Sequence, residues 1–498
     1  MKEQNKFSKV LSILLSILLV LSSFYLLYEL IKINVLPTKL LFLMTIVFVL
    51  LDAIFILLLC HYSKGVVSKI VCIVLSLLLT LGSCFGGYYI SKTGSLLTSI
   101  TNVTKHAKNT VSVVVKQSSD VKNKSSLNGV SVGTLRNIGT QGSKKVLKEL
   151  SNEGIVLKQK EYDSLSALLE AFYNGEVESI IINESSRSQI LDMESYADFD
   201  NNTRVVYQTS YKVENTDKAK SVTDITSKPF NVLISGSDTR GGFDENGRSD
   251  VIMIATVNPK TSTILLTSVP RDFYVTTACD AGDGCMQGAL DKITHTGIHG
   301  TNTTKRTVEQ LLGIEINYTF KVGFDTVTEL VDALGGVDVT VAPGYAVNNF
   351  NALSGFSVHE GVNHLNGEQA LAFARERYAY SEGDRQRTKN QQLVLMGIVD
   401  KVTSPAIVTN YASIMDAMAN TFSTTMSNDE ISDLIKYQIN NNPKWKMEQY
   451  MVNGTGDTLM CAELGDAASV MVPDQSTVKT AKDKINAVLA GKSSDSVK

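Results

Sequence analysis

The chain has 498 residues and a formal net charge of −3, from 47 lysine and arginine residues against 50 aspartate and glutamate residues. This length predicts more than one domain. The nearly balanced charge excludes the strongly basic class of nucleic-acid-binding proteins.

A membrane unit is predicted at residues 1–91. Three apolar runs lie there: Leu11–Leu27, which extends to Ile31 with one Glu29, then Leu40–Cys60 and Val66–Ile90. Each meets the roughly 20-residue length that a membrane-spanning helix needs. Lysines before the first run and between the second and third favour a cytoplasmic N-terminus, although two lysines between the first and second runs oppose this weakly. Three crossings would place the remainder of this multi-pass membrane protein outside the cell.

A few residues within the apolar runs are polar or reactive. Asp52 lies in the middle of the second run, and no basic partner is evident at its depth. We therefore expect it either to form a hydrogen bond between helices or to be a neutral acid. Cys60, Cys72 and Cys84 are interpreted as small apolar residues.

Two regions follow the predicted membrane unit. Residues 92–108 are rich in serine, threonine and lysine and predict a linker. Residues 109–225 alternate short strands with helices, which predicts a small accessory α/β domain. Its predicted elements are strands at 111–115, 131–133, 155–157 and 179–182 and helices at 142–152 and 164–174. No catalytic combination of residues is evident there, so this domain either binds a partner or acts as a spacer.

A second external domain is predicted at residues 229–404. Its first strand, Phe230–Ser235, leads into the glycine-rich segment Gly236–Gly242, which lacks the lysine of a Walker loop. Two apolar strands, Asp250–Val257 and Ser262–Val269, flank a short Asn-Pro-Lys-Thr turn and predict a β-hairpin. Because both strands are apolar nearly throughout, we expect helices to cover both faces of the sheet.

The register of this hairpin brings charged residues together. A turn centred between Lys260 and Thr261 pairs Asp250 with Arg271 at the open end, and Asp238 follows the neighbouring strand at the same edge. Converging carboxylates need a cation or a proton between them, and Mg²⁺ bridging to phosphate oxygens suits a site that offers only oxygen ligands. A structural ion pair between Asp250 and Arg271 explains the same pattern, so both interpretations remain open.

The stretch 374–392 concentrates four of the chain's eleven arginines between apolar helical segments. They are Arg375, Arg377, Arg385 and Arg387. Because the planar guanidinium fork matches carboxylate or phosphate oxygens two at a time, the stretch predicts an anion site. In the helix that begins near Asp384, that residue, Arg387 and Gln391 are spaced to share one face. The alternative is a solvated charged face in which Arg385 pairs with a nearby carboxylate.

Three cysteines lie beyond the membrane unit. Cys279 and Cys285 bracket a short loop of glycine and aspartate, which predicts a local disulfide. A zinc site is the alternative, but it lacks further ligands at a suitable spacing. Cys461 is predicted to be buried.

The last part of the chain is predicted to be mixed in structure. Residues 405–490 form a separate C-terminal part of the external region, with a strand around Trp445–Val452. Residues 491–498 form a polar tail.

Residues 230–402 carry a series of motifs in a defined order. They are Gly-Ser-Asp-Thr-Arg after a strand, Arg-Ser-Asp before one, Ser-Val-Pro-Arg-Asp, Lys-Ile-x-His, Leu-Val-Asp-Ala-Leu-Gly-Gly-Val-Asp-Val, Leu-Asn-Gly-Glu-Gln-Ala-Leu-Ala-Phe-Ala-Arg-Glu-Arg and Gly-Asp-Arg-Gln-Arg-x-x-x-Gln-Gln. In this order they resemble the LytR–CpsA–Psr family of Gram-positive cell-envelope proteins. The membrane unit and the α/β module at 111–209 resemble its longer, capsule-associated CpsA-like branch. Two features depart from the family pattern: Thr294 replaces the common Asn, and the Cys279–Cys285 insertion is extra.

The resemblance implies an α/β protein with three N-terminal transmembrane helices, a small α/β accessory domain and a catalytic domain built as an α-β-α sandwich around a mixed sheet. It implies Mg²⁺-dependent transfer of a capsular polysaccharide or teichoic-acid-like glycopolymer from a polyprenyl pyrophosphate carrier to peptidoglycan. The implied partners are the carrier-linked polymer, peptidoglycan, the membrane and other capsule-assembly proteins, and no nucleic acid is expected.

The resemblance also assigns roles to individual residues. The pyrophosphate ligands would be Arg271, Lys292, Arg375, Arg377, Arg387 and Gln391. Asp238 and Asp250 would hold Mg²⁺ against the pyrophosphate and stabilise charge on the leaving group. The catalytic residues would be Arg271, Asp384 and Arg387. Asp384 is the better proton acceptor, because arginine stays protonated in proteins.

The chemistry and the class of function retain alternatives. An acceptor hydroxyl that attacks phosphorus gives a phosphodiester, whereas attack on the anomeric carbon gives a glycosidic link. One rival function is hydrolysis of the carrier by a pyrophosphatase. Another is a non-enzymatic membrane regulator or scaffold of capsule assembly, which would not need a concentration of anion ligands.

Overall fold

The structure is a computed structural model that describes residues 2–62, 65–101, 106–237, 245–279, 284–404, 413–418 and 422–497. Contacts divide the chain into two compact units. The first unit comprises Met1–Thr101, Lys401–Ala419 and Ser427–Lys444. The second comprises Asn102–Asp400, Asn420–Met426 and Trp445–Lys498.

The first unit consists mainly of helices in its described residues. Its helices are α1 (Lys2–Ile33), α2 (Thr38–Leu57), α3 (Val66–Thr101), α12 (413–418) and α13 (Asn428–Asn441). Three stretches, Lys9–Ile33, Thr38–Tyr62 and Val66–Thr101, are long and apolar enough to cross a membrane. This agrees with the three predicted spans and indicates a membrane anchor.

Asp52 forms a hydrogen bond between two of these helices. The hydroxyl of Ser23 on α1 donates to Oδ1 of Asp52 on α2 at 3.0 Å, and both residues are buried. Of the two expectations for Asp52, the structure therefore supports the interhelical hydrogen bond.

The predicted linker at 92–108 is wrong for most of its length. Residues 92–101 continue α3, and the first strand already begins at His106. Leu97 and Ile100 are almost fully buried. Their spacing of three residues places both on one helix face, and packing of that face overrides a local composition that is typical of loops.

The accessory domain is a five-stranded mixed sheet with helices packed against it. The strands follow the order β3-β2-β4-β1-β5, with β1 antiparallel to β4 and β5 and β2 parallel to β3 and β4. Its strands are β1 (His106–Lys116), β2 (Ser131–Leu135), β3 (Lys158–Tyr162), β4 (Ser179–Asn183) and β5 (Thr203–Glu214). Its helices are α4 (Thr140–Asn152), α5 (Leu165–Tyr173), α6 (Arg187–Asp192) and α7 (Phe199–Asn202).

One strand of this domain is shifted from its predicted position. The apolar run 155–157 predicted a strand, but β3 follows it and is mostly exposed at the sheet edge. Gly154 has a φ of +80°, so the apolar run is still leaving a turn. Charged residues are common on edge strands because they discourage pairing with another chain.

The main sheet of the second unit has six strands in the order β14-β11-β6-β7-β8-β15. They are β6 (Phe230–Ser237), β7 (Ser249–Asn258), β8 (Thr263–Val269), β11 (Tyr318–Gly323), β14 (Phe422–Thr424) and β15 (Lys446–Met451). The β6–β7 and β7–β8 pairs are antiparallel, whereas β11 and β15 add in parallel, so the sheet is mixed. Asn258 pairs with Thr263, which confirms the predicted hairpin register.

Helices cover both faces of this sheet. The helices that follow the hairpin are α8 (Thr301–Leu312), α9 (Phe324–Ala333), α10 (Gly367–Arg375), α11 (Asp384–Val402) and α14 (Gln475–Leu489). Leu265 shares a core cluster with Val308 of α8 and Ile485 of α14. Ser268 points to the opposite face, since neighbouring strand residues alternate, and its hydroxyl accepts from Nε2 of Gln392 on α11 at 2.9 Å. The predicted α-β-α sandwich is confirmed.

The boundary predicted at residue 404 does not separate a domain. β14 and β15 complete the main sheet, and α14 packs into its core. The antiparallel β16 (Gly454–Cys461) and β17 (Asp466–Pro473) place Cys461 in a buried cluster with Phe172 of the accessory domain. The predicted tail also packs, because the backbone N–H of buried Ser494 donates to Glu448 at 2.7 Å. Edge strands and a shared core therefore join the C-terminal part to both external domains.

Two further small pairs of strands complete the description. They are β9 (Tyr274–Thr276) with β10 (Leu290–Lys292), and β12 (Val337–Val341) with β13 (Gly361–Leu365). Val337 and Leu365 of the second pair share a core cluster with Phe373 of α10. This cluster supports α10 just before the arginine-rich stretch.

Candidate functional site

The site is centred on a buried ion pair at the open end of the hairpin. Nη1 of Arg271 donates to Oδ1 of Asp250 at 3.0 Å, as the register predicted. The hydroxyl of Thr294 donates to the same oxygen at 3.1 Å. The side chains of Asp250 and Arg271 are both mostly buried. Thr294, where the family commonly has Asn, thus contacts the predicted metal ligand directly.

A second guanidinium, Arg248, faces the other oxygen of Asp250. Its Nη2 lies 3.8 Å from Oδ2 of Asp250, and its Nη1 pairs with Asp192 at the end of α6. The Arg248 side chain is only 9% exposed. Burial alone would raise the pKa of Asp250, but the charges of Arg248 and Arg271 and the bonds from Arg271 and Thr294 outweigh it and lower the pKa. Asp250 is therefore an ionised carboxylate at neutral pH.

Lys292 approaches the site as the last residue of β10. Its Nζ lies 3.4 Å from Oδ1 of Asp272, and Nε of Arg271 lies 3.7 Å from Oδ2 of the same carboxylate. The backbone N–H of Thr294 donates to the carbonyl of Arg271 at 3.0 Å. These contacts hold the segment with Lys292 and Thr294 against Arg271 and Asp272, which follow β8.

Asp291 fixes the position of this segment from behind. Its Oδ1 accepts from the backbone N–H of Lys292 at 2.6 Å and contacts Nδ1 of His295 at 2.7 Å, while Oδ2 accepts from the backbone N–H of Glu463 at 2.7 Å. Burial opposes ionisation, but His295 and the two backbone donors lower the pKa of Asp291. Asp291 therefore acts as a buried anionic anchor for the residues around Lys292.

The arginine-rich stretch contributes the first turn of α11. Arg387 forms an ion pair with Asp384, which agrees with their predicted common face. The pKa of Arg387 lies below its usual value, first because the group is buried and then because Arg271 and Arg377 are nearby like charges. The negative charge of Asp384 also helps to raise the pKa of Arg271. Residues that follow β8 and α10, together with the first turn of α11, therefore share one electrostatic neighbourhood.

Three guanidinium groups in this neighbourhood retain unused donors. The Nε atoms of Arg248, Arg271 and Arg387 are buried and make no hydrogen bond within the described part of the chain. Buried polar groups without a partner are costly, so such donors suit a ligand that brings several acceptor oxygens. A pyrophosphate group has this character, and its negative charge would offset the repulsion among the arginines.

The loop between α10 and α11 presents Arg377 beside an aromatic ring. The guanidinium carbon of Arg377 lies 4.7 Å from the ring centroid of Tyr378, and Nη2 donates to the Tyr378 hydroxyl at 2.5 Å. Buried Glu376 accepts the backbone N–H groups of Tyr378 and Ala379 at 2.8 and 3.1 Å. The loop is thus held by a carboxylate that the site chemistry does not use.

The remaining predicted site residues lie at exposed or half-buried positions or outside the described part of the chain. Arg375 is the last residue of α10 and is exposed, whereas Gln391 is half-buried on α11. Asp238 lies outside the described residues. The alternative of a solvated face applies to Arg385, which is exposed, and to Lys389, which pairs with Glu382 at 2.7 Å.

Sequence reasoning overlooked three contributors to the site. Arg248 lies two residues before Asp250, and this strand spacing could have placed both on one face. Asp272 follows Arg271 directly, but its contact with Lys292 depends on the β9–β10 pairing. Asp192 comes from the accessory domain and carries no local signal.

The cysteine predictions agree with the structure. Cys279 and Cys285 form a disulfide, and Cys461 is a buried free thiol. Burial raises the pKa of the Cys461 thiol to about 12, so it is unreactive at neutral pH. Among the described residues, no group of three or more His, Cys, Asp or Glu side chains is arranged to hold a metal ion.

Comparison with known proteins gives a consistent match for the region from residue 198 to residue 487. The model of the LytR_cpsA_psr family matches residues 198–487. The chain is 34% identical over 211 residues to "Polyisoprenyl-teichoic acid--peptidoglycan teichoic acid transferase TagU" of Bacillus cereus, which covers 42% of this chain and 65% of that relative. It is 35% identical over 251 residues to the protein of the same name from Enterococcus faecalis, covering 50% of this chain and 77% of the relative.

Solved structures include similar proteins. The crystal structure of protein gbs0355 from Streptococcus agalactiae has 27% sequence identity and a TM-score of 0.47. The match covers 55% of this chain and 92% of that chain.

Proposed function

The chain belongs to the LytR_cpsA_psr family, and from this premise we propose that it transfers a glycopolymer from a polyprenyl pyrophosphate carrier to peptidoglycan. The polymer would be a teichoic-acid-type polymer or a capsular polysaccharide. The observation that carries the proposal is the convergence of Arg271, Arg377 and Arg387 beside the ionised carboxylate of Asp250. The names of the TagU relatives support the same type of reaction.

In this proposal the arginine cluster binds the pyrophosphate. Arg271 and Arg387 contribute buried guanidinium groups whose Nε donors have no partner in the described part of the chain. Arg248 adds a third such donor, and the remaining ligands would be Lys292, Arg375, Arg377 and Gln391. Donors fixed before the substrate arrives stabilise charge on the leaving group without reorganising during the reaction.

Mg²⁺ is proposed as the metal, held by Asp250 and Asp238 together with phosphate oxygens. The donor chemistry fits, because Mg²⁺ is commonly bound by one or two carboxylates plus substrate phosphates rather than by a full protein cage. The lowered pKa of Asp250 supports an ionised ligand, and its Oδ2 lies 3.8 Å from Nη2 of Arg248. When bound, the ion would neutralise part of the phosphate charge.

Asp384 is proposed to accept the proton of the attacking hydroxyl. Its side chain is partly exposed beside Arg387, so an acceptor sugar can approach from solvent. The hydroxyl oxygen forms a bond either to the phosphorus that bears the sugar, releasing polyprenyl phosphate, or to the anomeric carbon, releasing polyprenyl pyrophosphate. In both cases the proton passes to Asp384, and the leaving oxygen takes the electron pair of the bond that breaks.

The proposed location is the outer face of the cell membrane. The lysine distribution favours a cytoplasmic N-terminus, and three spanning helices would place the second unit outside. There it would have access to peptidoglycan and to a membrane-embedded lipid carrier.

A transfer assay tests this proposal. Full-length protein in detergent is incubated with a labelled lipid pyrophosphate saccharide and peptidoglycan, with and without Mg²⁺, and compared with the Asp250→Ala variant. We expect label in peptidoglycan only with wild type and Mg²⁺. Release of labelled saccharide into water without an acceptor would instead indicate a pyrophosphatase. Polymer anchoring by Asp250→Ala and Arg271→Ala at the level of wild type would indicate a scaffold.

A further inference from the structure

Tyr378 is an unusually exposed aromatic residue for its place in the molecule. Its side chain is 71% exposed. Among the described residues, every other exposed phenylalanine or tyrosine lies in the three apolar stretches Lys9–Ile33, Thr38–Tyr62 and Val66–Thr101. A single exposed apolar residue needs no explanation by itself, but this one is the immediate neighbour of Arg377 in the proposed pyrophosphate site.

The backbone that carries this exposed ring is held in position. Glu376, which is 1% exposed, accepts the backbone N–H groups of Asn351 and Ala352 at 2.6 and 3.2 Å as well as those of Tyr378 and Ala379. One buried carboxylate thus joins two loops by four hydrogen bonds. A ring presented on such a fixed backbone loses little conformational entropy when it binds a ligand.

The two faces of the ring have different environments. The guanidinium of Arg377 lies over the Tyr378 ring at 4.7 Å from its centroid, so this contact occupies one face. The high exposure of the side chain leaves most of the remaining ring surface open to solvent. The positive charge of the same guanidinium also contributes to the lowered pKa of Arg387. The open ring surface therefore lies at the edge of the arginine cluster.

This arrangement suits a sugar that is attached to a pyrophosphate. The first sugar of the carrier-linked polymer is bonded directly to a phosphate oxygen, so it must lie beside the groups that bind that phosphate. One face of a pyranose ring presents C–H groups, and an aromatic ring offers them an apolar surface. The Tyr378 hydroxyl meanwhile accepts a hydrogen bond from Nη2 of Arg377 at 2.5 Å. A cation beneath the ring does not interfere with contact on the opposite face.

We propose that Tyr378 forms a saccharide subsite that stacks against the sugar next to the pyrophosphate. This inference rests on the proposed function and adds the residue that recognises the sugar rather than the phosphate. Arg377 links the two parts of the site, since it contacts the tyrosine ring on one side and belongs to the anion cluster on the other.

The test measures binding of two synthetic ligands to the full-length protein in detergent. One ligand is a short-chain polyprenyl pyrophosphate without sugar, and the other carries one N-acetylhexosamine. For Tyr378→Ala we expect unchanged affinity for the first ligand and about tenfold weaker affinity for the second, as expected for loss of one aromatic contact. In transfer assays the variant should raise KM more than it lowers kcat.

Two comparison variants make the result specific. Tyr378→Phe keeps the ring and should restore most of the preference for the sugar-bearing ligand. Met460→Ala removes another exposed apolar side chain, which is on β16, and should not alter that preference. An equal loss for both ligands, or no loss for either, would overturn the saccharide subsite. Failure of wild type to bind either ligand would instead overturn the proposed function, and the subsite with it.

Discussion

Arg248 forms an ion pair with Asp192. Arg248 directly precedes β7 of the main sheet, and Asp192 is the last residue of α6 in the accessory domain. Through Nη2 the same guanidinium lies 3.8 Å from Asp250. The accessory domain therefore contacts the proposed catalytic site through one buried arginine. This contact gives that domain a more direct relation to the site than either of the roles predicted from sequence.

Asp192 is predicted to position Arg248 for the reaction. Asp192→Asn replaces a charged acceptor with a neutral one, which weakens the bond to Arg248 by about 1 kcal/mol. We expect roughly a fivefold lower kcat/KM for transfer, corresponding to this loss. The measurement is the steady-state transfer rate over a range of carrier concentrations, with KM and kcat determined separately.

Glu194→Gln is the matched control for this prediction. Glu194 is an exposed acid two residues from Asp192, so it reports the general effect of removing a negative charge from this surface. If both variants lose the same activity, or neither loses any, Asp192 has no specific role in positioning Arg248.

The fork of Arg387 is predicted to matter more than its charge. Arg387→Lys keeps one positive charge but cannot reproduce the bidentate geometry of guanidinium. We expect roughly tenfold weaker binding of sugar-free polyprenyl pyrophosphate, measured by calorimetry. Arg385→Lys, at an exposed position two residues away, should bind it like wild type. Comparable affinities for all three proteins would contradict a phosphate contact by Arg387.

The disulfide between Cys279 and Cys285 is predicted to stabilise the second unit. Closure of so short a loop contributes about 2 kcal/mol to the free energy of unfolding. The Cys279→Ser, Cys285→Ser double variant should therefore unfold at lower denaturant concentration. Reductant should bring wild type to the same midpoint and leave the double variant unchanged. Identical midpoints for oxidised wild type and the double variant would show that the bond contributes nothing.

Short-range geometry explains which parts of the site could be predicted from sequence. The contact of Asp250 with Arg271 follows from a short turn and the pairing it imposes. The pair of Asp384 and Arg387 follows from helical spacing alone. Each depends on regular structure within a single hairpin or helix, so the residue numbers contain the necessary information.

Contacts made by distant segments could not be predicted in this way. β15 pairs with β8 although about 180 residues separate them along the chain, and nothing in either strand selects that edge. Asp192 meets Arg248 only because two domains pack together. The linker prediction failed for a related reason, since burial of Leu97 and Ile100 stabilises a helix that composition does not favour.

Glu448 on β15 is predicted to make the fold sensitive to acid. Its carboxylate accepts from Nζ of Lys446 at 2.6 Å, from the hydroxyl of Ser493 at 2.8 Å and from the backbone N–H of Ser494 at 2.7 Å. Burial opposes ionisation, but these bonds outweigh it and lower the pKa of Glu448 from 4.5 to about 2. A folded-state pKa below the unfolded value stabilises the fold at every pH above the unfolded value.

This contribution should disappear as the pH falls from 4.5 towards 2, where both states become protonated. Its size is on the order of 3 kcal/mol at neutral pH. Glu448→Gln should therefore unfold more easily than wild type in urea at pH 7, and the difference should shrink at pH 3. Glu178→Gln, at an exposed position, should match wild type at both values. A gap between Glu448→Gln and wild type that stays constant with pH would mean that the ionised carboxylate is not what holds the C-terminal segment.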